Sequence, residues 1–133
     1  GDIEAALASE GIKKLAMLIY LVKNGELTQN TVLFWDEPEA HLNPKQNEIV
    51  SDFVYKIASQ GVQVFVASHD YLLTQRLNFN QQQHKHEPVP HFISLVFDEG
   101  DVKAEVQTNL DEIVHNPILD AFADFATEEL TSQ

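Results

Sequence analysis

Cysteine is absent from the 133 residues. That excludes disulfide staples and thiolate metal centres, and fits a cytoplasmic chain. Basic residues are scarce: 8 Lys and Arg stand against 21 Asp and Glu, a formal net charge of −13. Five of them (Lys13, Lys14, Lys23, Lys45, Lys56) are spread over the first half without forming a patch. A surface of this sign repels nucleic-acid phosphates and anionic membranes, so neither is expected to bind through this chain. No apolar run is long enough to cross a bilayer, and the start carries no basic-then-apolar leader. Glycine occurs only at positions 1, 11, 25, 61 and 100, and none precedes a lysine. The glycine-rich loop that cradles β- and γ-phosphates with a lysine is therefore not in this sequence.

What remains is enough for one real core: 44% of the residues are hydrophobic and 9% aromatic, as in a globular chain. The organising stretch is Thr31-Val32-Leu33-Phe34-Trp35-Asp36-Glu37-Pro38. A continuous apolar run closed by turn signals reads as a fully buried strand of a parallel sheet. Pro38 cannot donate to a sheet ladder, so pairing stops there. Two adjacent acids at the carboxyl end of such a strand lie where open α/β sheets place ligands. They suit a magnesium ion carrying phosphates, bound through few carboxylates and several waters. They equally suit plain turn chemistry, with Asp36 capping the next segment.

Upstream, Ile12, Leu15, Ala16, Ile19 and Val22 recur at helical spacing, predicting an amphipathic helix from about Ser9 to Lys23, N-capped by Ser9 and stopped at Asn24-Gly25. Downstream, Asn43-Pro44 predicts a helix start. That helix runs to Ser59, with Ile49, Phe53 and Ile57 inward, flanked by Val50 and Val54. Val62 to Ala67 is a second buried strand ending in Ser68-His69-Asp70, so the pair forms a parallel strand–helix–strand unit. His69 at that end reads by itself as a cap for the following turn. The polar run from Asn78 to Pro90 reads as a loop, and its His84, His86 and Glu87 are metal-ligand candidates or a solvated stretch. Phe92 to Phe97 and Val102 to Gln107 predict a β-hairpin across a turn at 98–101. Asn116-Pro117 opens a last helix with Ile118, Leu119, Phe122 and Phe125 apolar. Trp35, Phe122 and Phe125 read as core packing.

The order helix, Asp-Glu-ended strand, helix, Ser-His-ended strand resembles the second half of an ABC-type ATPase nucleotide-binding domain. Trp35-Asp36-Glu37-Pro38-Glu39-Ala40-His41-Leu42-Asn43-Pro44 is similar to its soluble AAA-annotated relatives, the RecF-like, SMC-like and overcoming-lysogenization-defect ATPases. The likeness covers about Ala8 to Leu73, and an ordered set of motifs is far more specific than any one alone.

It implies an α/β fold, part of a P-loop NTPase with a C-terminal hairpin and helix. ATP and Mg2+ are the implied ligands. Asp36 resembles the Walker B acid that holds the metal, and Glu37 the catalytic glutamate that aligns and deprotonates the attacking water. His69 resembles the switch histidine on the γ-phosphate. Ser9-Glu10-Gly11 stands at the family's Ser-Gly-Gly signature, whose serine and amides meet the γ-phosphate bound to a second subunit. Asn43 stands at the D-loop aspartate, across that dimer interface. Glu10 departs from the pattern by placing a negative charge where the family has glycine.

The absent phosphate loop implies a P-loop half upstream in a longer, homodimeric ATPase, and a 133-residue chain that does not hydrolyse ATP by itself. The alternative is a non-catalytic α/β module retained for interaction or dimerisation. A phosphotransfer enzyme using Asp36 and Glu37 without ATP is weaker, because it leaves Ser9 and His69 without a role.

Overall fold

In the computed structural model, helix α1 runs from Glu10 to Lys23, one residue after the expected cap. Residues 10–83 and 88–131 are described; Ser9, His84, His86 and Glu87 lie outside them. The chain divides between Ser68 and His69 into two units.

The first unit is a parallel strand–helix–strand motif preceded by α1. Strand β1 (Val32–Asp36) pairs with β2 (Gln63–Ala67) in parallel register, from Val32 beside Gln63 to Asp36 beside Ala67. Between them, a 3-10 turn (Pro44–Gln46) leads into helix α2 (Asn47–Ser59). Both helices stop where the sequence places them. Gly25 and Gly61 take positive φ, and each next residue reaches back to the last turn, Glu26 N–H to Leu21 C=O at 3.0 Å and Val62 N–H to Ile57 C=O at 3.3 Å. Only glycine enters that left-handed cap without a Cβ penalty. Leu15, Leu18, Trp35, Val50, Tyr55, Ile57 and Val62 form the core. Phe53 meets Trp35 edge-to-face, ring centroids 6.0 Å apart.

The strands and both helices bury other faces than expected. The strands are not buried on both sides: Phe34 is 76% exposed and stacks on the exposed Phe65 at 4.9 Å. Trp35 and its alternate neighbours face the helix layer, while the other face has no cover among the described residues. On α2, Ile49 points outward at 53% exposure and the inward set is Val50, Ser51, Tyr55 and Ile57. On α1, likewise, Gly11, Leu15 and Leu18 are buried rather than Ile12 and Ile19. Both helices carry apolar residues over more than one stripe, so periodicity fixes the helix but not the stripe that turns inward.

The second unit opens with helix α3 (Tyr71–Gln83), where a loop was expected beyond Asn78. Asp70 starts it, its Oδ1 accepting the Leu73 N–H at 2.6 Å. The polar run is helical because its amides meet backbone: Asn78 Oδ1 accepts the Leu110 N–H at 3.1 Å, and Gln81 Nε2 donates to the Thr108 carbonyl. Strands β3 (Phe92–Asp98) and β4 (Asp101–Gln107) form the expected antiparallel hairpin through a two-residue turn with positive φ at Glu99 and Gly100. After a 3-10 turn (Leu110–Glu112), helix α4 (Pro117–Thr131) begins at Asn116, whose Oδ1 accepts the Leu119 N–H at 3.2 Å. Phe122 and Phe125 are not core residues: both are exposed, and Phe122 stacks flat on Tyr71 at 4.6 Å. Among the described residues, no helix is long and apolar enough to cross a membrane.

Candidate functional site

The acidic end of β1 is built by strand alternation followed by a backbone reversal. Val32, Phe34 and Asp36 share the open face of the sheet, so the last residue of the ladder presents an exposed carboxylate. At Glu37 the chain leaves the strand with φ +45°, although its N–H still bonds the Ala67 carbonyl at 2.8 Å. A left-handed non-glycine residue costs about 1–2 kcal/mol and persists only where its surroundings over-determine it. Here those surroundings are fully buried Pro38 and a turn closed by Ala40 N–H to the Glu37 carbonyl at 3.0 Å. His41, at φ +65°, is a second left-handed residue in the same short loop.

Glu39 ties this turn to the end of β2. Its Oε1 accepts a hydrogen bond from Ser68 Oγ at 2.6 Å, across 29 residues of chain. Its Oε2 is buried with no hydrogen-bond partner among the described residues, at a cost of about 1–3 kcal/mol. On the other side of the loop α1 comes close at Gly11. A Cβ there would lie 2.4 Å from Leu42 Cδ2 and 3.1 Å from the Ala40 carbonyl oxygen. Neither contact was foreseen from the sequence. The second Glu of Asp-Glu-Pro-Glu, three residues beyond Asp36, was the available signal for the first.

Gly11, Asp36, Glu37 and Asn43 all belong to the first unit. The Cβ side of Gly11 is filled by Leu42. Asn43 caps the 3-10 turn: its Oδ1 accepts the Lys45 N–H at 3.0 Å, and Gln46 Oε1 accepts the Asn43 N–H at 3.0 Å, a capping box. His69 is exposed and is the first residue of the second unit. Next to it, Asp70 Oδ1 accepts the Leu73 N–H at the start of α3. Ser9 and the loop candidates His84, His86 and Glu87 fall outside the described residues.

Among the described residues no group of three or more His, Cys, Asp or Glu side chains could hold a metal. Asp36 and Glu37 therefore make no all-protein cage. An exposed pair of carboxylates fits magnesium, which keeps several waters and takes one or two carboxylates together with substrate phosphates.

A parallel strand–helix–strand core defines an α/β domain, and the acids stand at the carboxyl end of its first strand, where open α/β sheets place ligands. Residues 1–74 match the family described as "AAA domain, putative AbiEii toxin, Type IV TA system", and the chain belongs to that family. Its fold is similar to that of a solved SMC ATPase from work described as "Structural biochemistry of ATP-driven dimerization and DNA stimulated activation of SMC ATPases". The TM-score is 0.55 at 18% identity, over 98% of this chain and 65% of that one. The chain thus spans less than two thirds of that structure's length. No curated protein sequence matches it. The chain is accordingly a member of an AAA family with a fold similar to that of an SMC ATPase.

Proposed function

We propose that this chain supplies the acid-bearing half of an ATP-hydrolysing domain, and that a P-loop-bearing segment upstream in the same polypeptide completes it. The observation that carries the reading is the strand end itself: exposed Asp36, then Glu37 in a left-handed conformation with its N–H on the Ala67 carbonyl. Asp36 would hold magnesium through its water shell. The bound ion would neutralise phosphate charge during transfer. Phosphoryl transfer is mostly positioning and charge stabilisation, so the protein's task is to place few groups accurately. Glu37 would orient the attacking water and accept its proton. His69 would donate to the γ-phosphate.

In this reading the intact protein is a homodimer. Ser9 and the amides around Gly11 would face the nucleotide held by the partner subunit, and Asn43 would lie at that interface. The SMC ATPase similar in fold is described with ATP-driven dimerization, which supports the arrangement. Nucleic acid, if the intact protein binds it, would meet parts other than this chain, whose net charge is −13.

The test is ATP hydrolysis by the full natural polypeptide, wild type against Glu37→Gln. A general base contributes about 10²- to 10⁴-fold, and a drop of that size is expected in kcat with ATP binding retained. The 133-residue chain alone is expected to be inactive. A full polypeptide that binds no ATP with magnesium would sink this reading and leave an α/β interaction module, which the exposed Phe34–Phe65 stack favours.

A further inference from the structure

We propose that Glu39 is a positioning residue, whose bond to Ser68 locks the reversal that aims the Glu37 carboxylate. The inference rests on the hydrolysis reading above and adds to it a residue and a bond.

Besides the closing bond from the Ala40 N–H to the Glu37 carbonyl, three ties bear on the reversal. The Glu37 N–H bonds the Ala67 carbonyl, Pro38 is buried with its φ fixed by the ring, and Ser68 Oγ donates to Glu39 Oε1 at 2.6 Å. The first tie acts on the backbone before the turn and the second within it. The third reaches the turn from a side chain beyond it. Ala67 and Ser68 are adjacent, so the first and third ties together clamp both ends of the 37–39 segment to one point at the end of β2. Without the third, the segment keeps its strand-end bond and its closing turn, but the strained φ of Glu37 has less to oppose relaxation. A relaxed Glu37 would swing its carboxylate away from the water it aligns.

The other oxygen of Glu39 argues against a purely stabilising role. Oε2 is buried without a partner among the described residues. A buried carboxyl that satisfies one oxygen and orphans the other is a poor stabiliser, and an apolar side chain of similar size would cost less there. Its worth lies in the geometry it imposes. Stability and turnover should therefore separate when it is changed.

The experiment is steady-state MgATP hydrolysis by the full natural polypeptide for wild type, Glu39→Gln, Glu39→Ala, Ser68→Ala and the Glu39→Ala/Ser68→Ala double variant, with thermal midpoints measured in parallel. Misplacement by about 1 Å can cost a hundredfold in rate. Glu39→Ala and Ser68→Ala are each expected to lower kcat about 10- to 100-fold, while KM for ATP and the thermal midpoint stay near wild type. Loss of one shared bond predicts a double variant no slower than the slower single. Glu39→Gln keeps an acceptor for Ser68 Oγ and should restore most of kcat. Wild-type turnover with both alanine variants at wild-type kcat overturns this inference alone, as does a loss that appears only in KM or only with a lowered thermal midpoint. An additive double variant overturns it too. No turnover by the wild type overturns the hydrolysis reading, and this inference with it.

Discussion

Gly11→Ala tests how α1 is seated against the loop that follows the acidic strand end. In a helix interior alanine is favoured over glycine by about 0.8–1.0 kcal/mol, and less at the second residue of a helix, where Gly11 lies. Against that gain stands the space. The new Cβ would fall 2.4 Å from Leu42 Cδ2, 2.6 Å from Leu42 Cγ and 3.1 Å from the Ala40 carbonyl oxygen. The Leu42 methyl can rotate away. Its Cγ and the Ala40 carbonyl cannot move as freely, because the loop is fastened by Leu42 N–H to the Glu39 carbonyl at 2.9 Å and by Ala40 N–H to Glu37 at 3.0 Å. Overpacking of a closed site costs about 1–3 kcal/mol, so the clash outweighs the propensity and the net loss is about 1 kcal/mol. The chain's one tryptophan, Trp35, is buried against Phe53 in the same unit, so its fluorescence reports that unit alone in a urea titration. At a urea slope of about 1–2 kcal/mol/M the midpoint should fall by about 0.5–1 M. Leu42→Ala opens the space, so the double variant should recover part of the loss relative to Leu42→Ala alone. A Gly11→Ala chain more stable than wild type would refute the reasoning, since that is how an open helical glycine behaves.

Two pH effects follow from the titrating groups. Burial pushes the Tyr55 hydroxyl up from 10.0 to about 12. A folded value above the unfolded one gives stability that is complete below pH 10.0 and lost as pH rises toward about 12. Tyr55→Phe should flatten that alkaline decline in Trp35-detected unfolding, and an unchanged slope would refute the assignment. The Glu105 carboxylate is held below its usual range, first by the Val114 N–H and then by the His115 N–H, at 2.8 and 3.0 Å. A lowered folded value gives protection present above the ordinary carboxylate range and lost as pH falls through the folded value. The protection of the Val114 and His115 amides, measured as exchange relative to the unstructured rate at the same pH, should therefore fall on acidification, whereas in Glu105→Gln it should not change with pH.

Element order was legible from the sequence wherever local chemistry dictates a boundary. Asn24-Gly25 and Gly61 ended helices, Asn43-Pro44 and Asn116-Pro117 began them, and the residues at 98–101 turned the hairpin. Facing was less legible. On α2, Ile49 and Val50 are adjacent and both apolar, and only the sheet above them decides that Val50 turns inward. Helix α3 was missed because its signal is not apolar periodicity: Asn78 and Gln81 point at backbone groups around Leu110, contacts that lie about 30 residues away in sequence. Composition reads such a run as loop, yet here amide side chains serve as packing groups.

The site shows the same division. The exposed place of Asp36 and Glu37 at the strand end was legible because it depends on residue type and on position in the strand, both of which a sequence carries. Glu39 is not, because its role depends on Ser68 at a 29-residue separation. The strand run itself contains a further clue. Four apolar residues in succession, the last a tryptophan, suit a strand covered on both faces, yet alternation leaves Val32, Phe34 and Asp36 on an open one. Phe34 and Asp36 thus share one face, and a layer laid over the phenylalanine stack would end beside the Asp36 carboxylate. In the reading proposed here that layer would come from the phosphate-binding half, and a carboxylate at its rim is where magnesium bound to phosphate would need one.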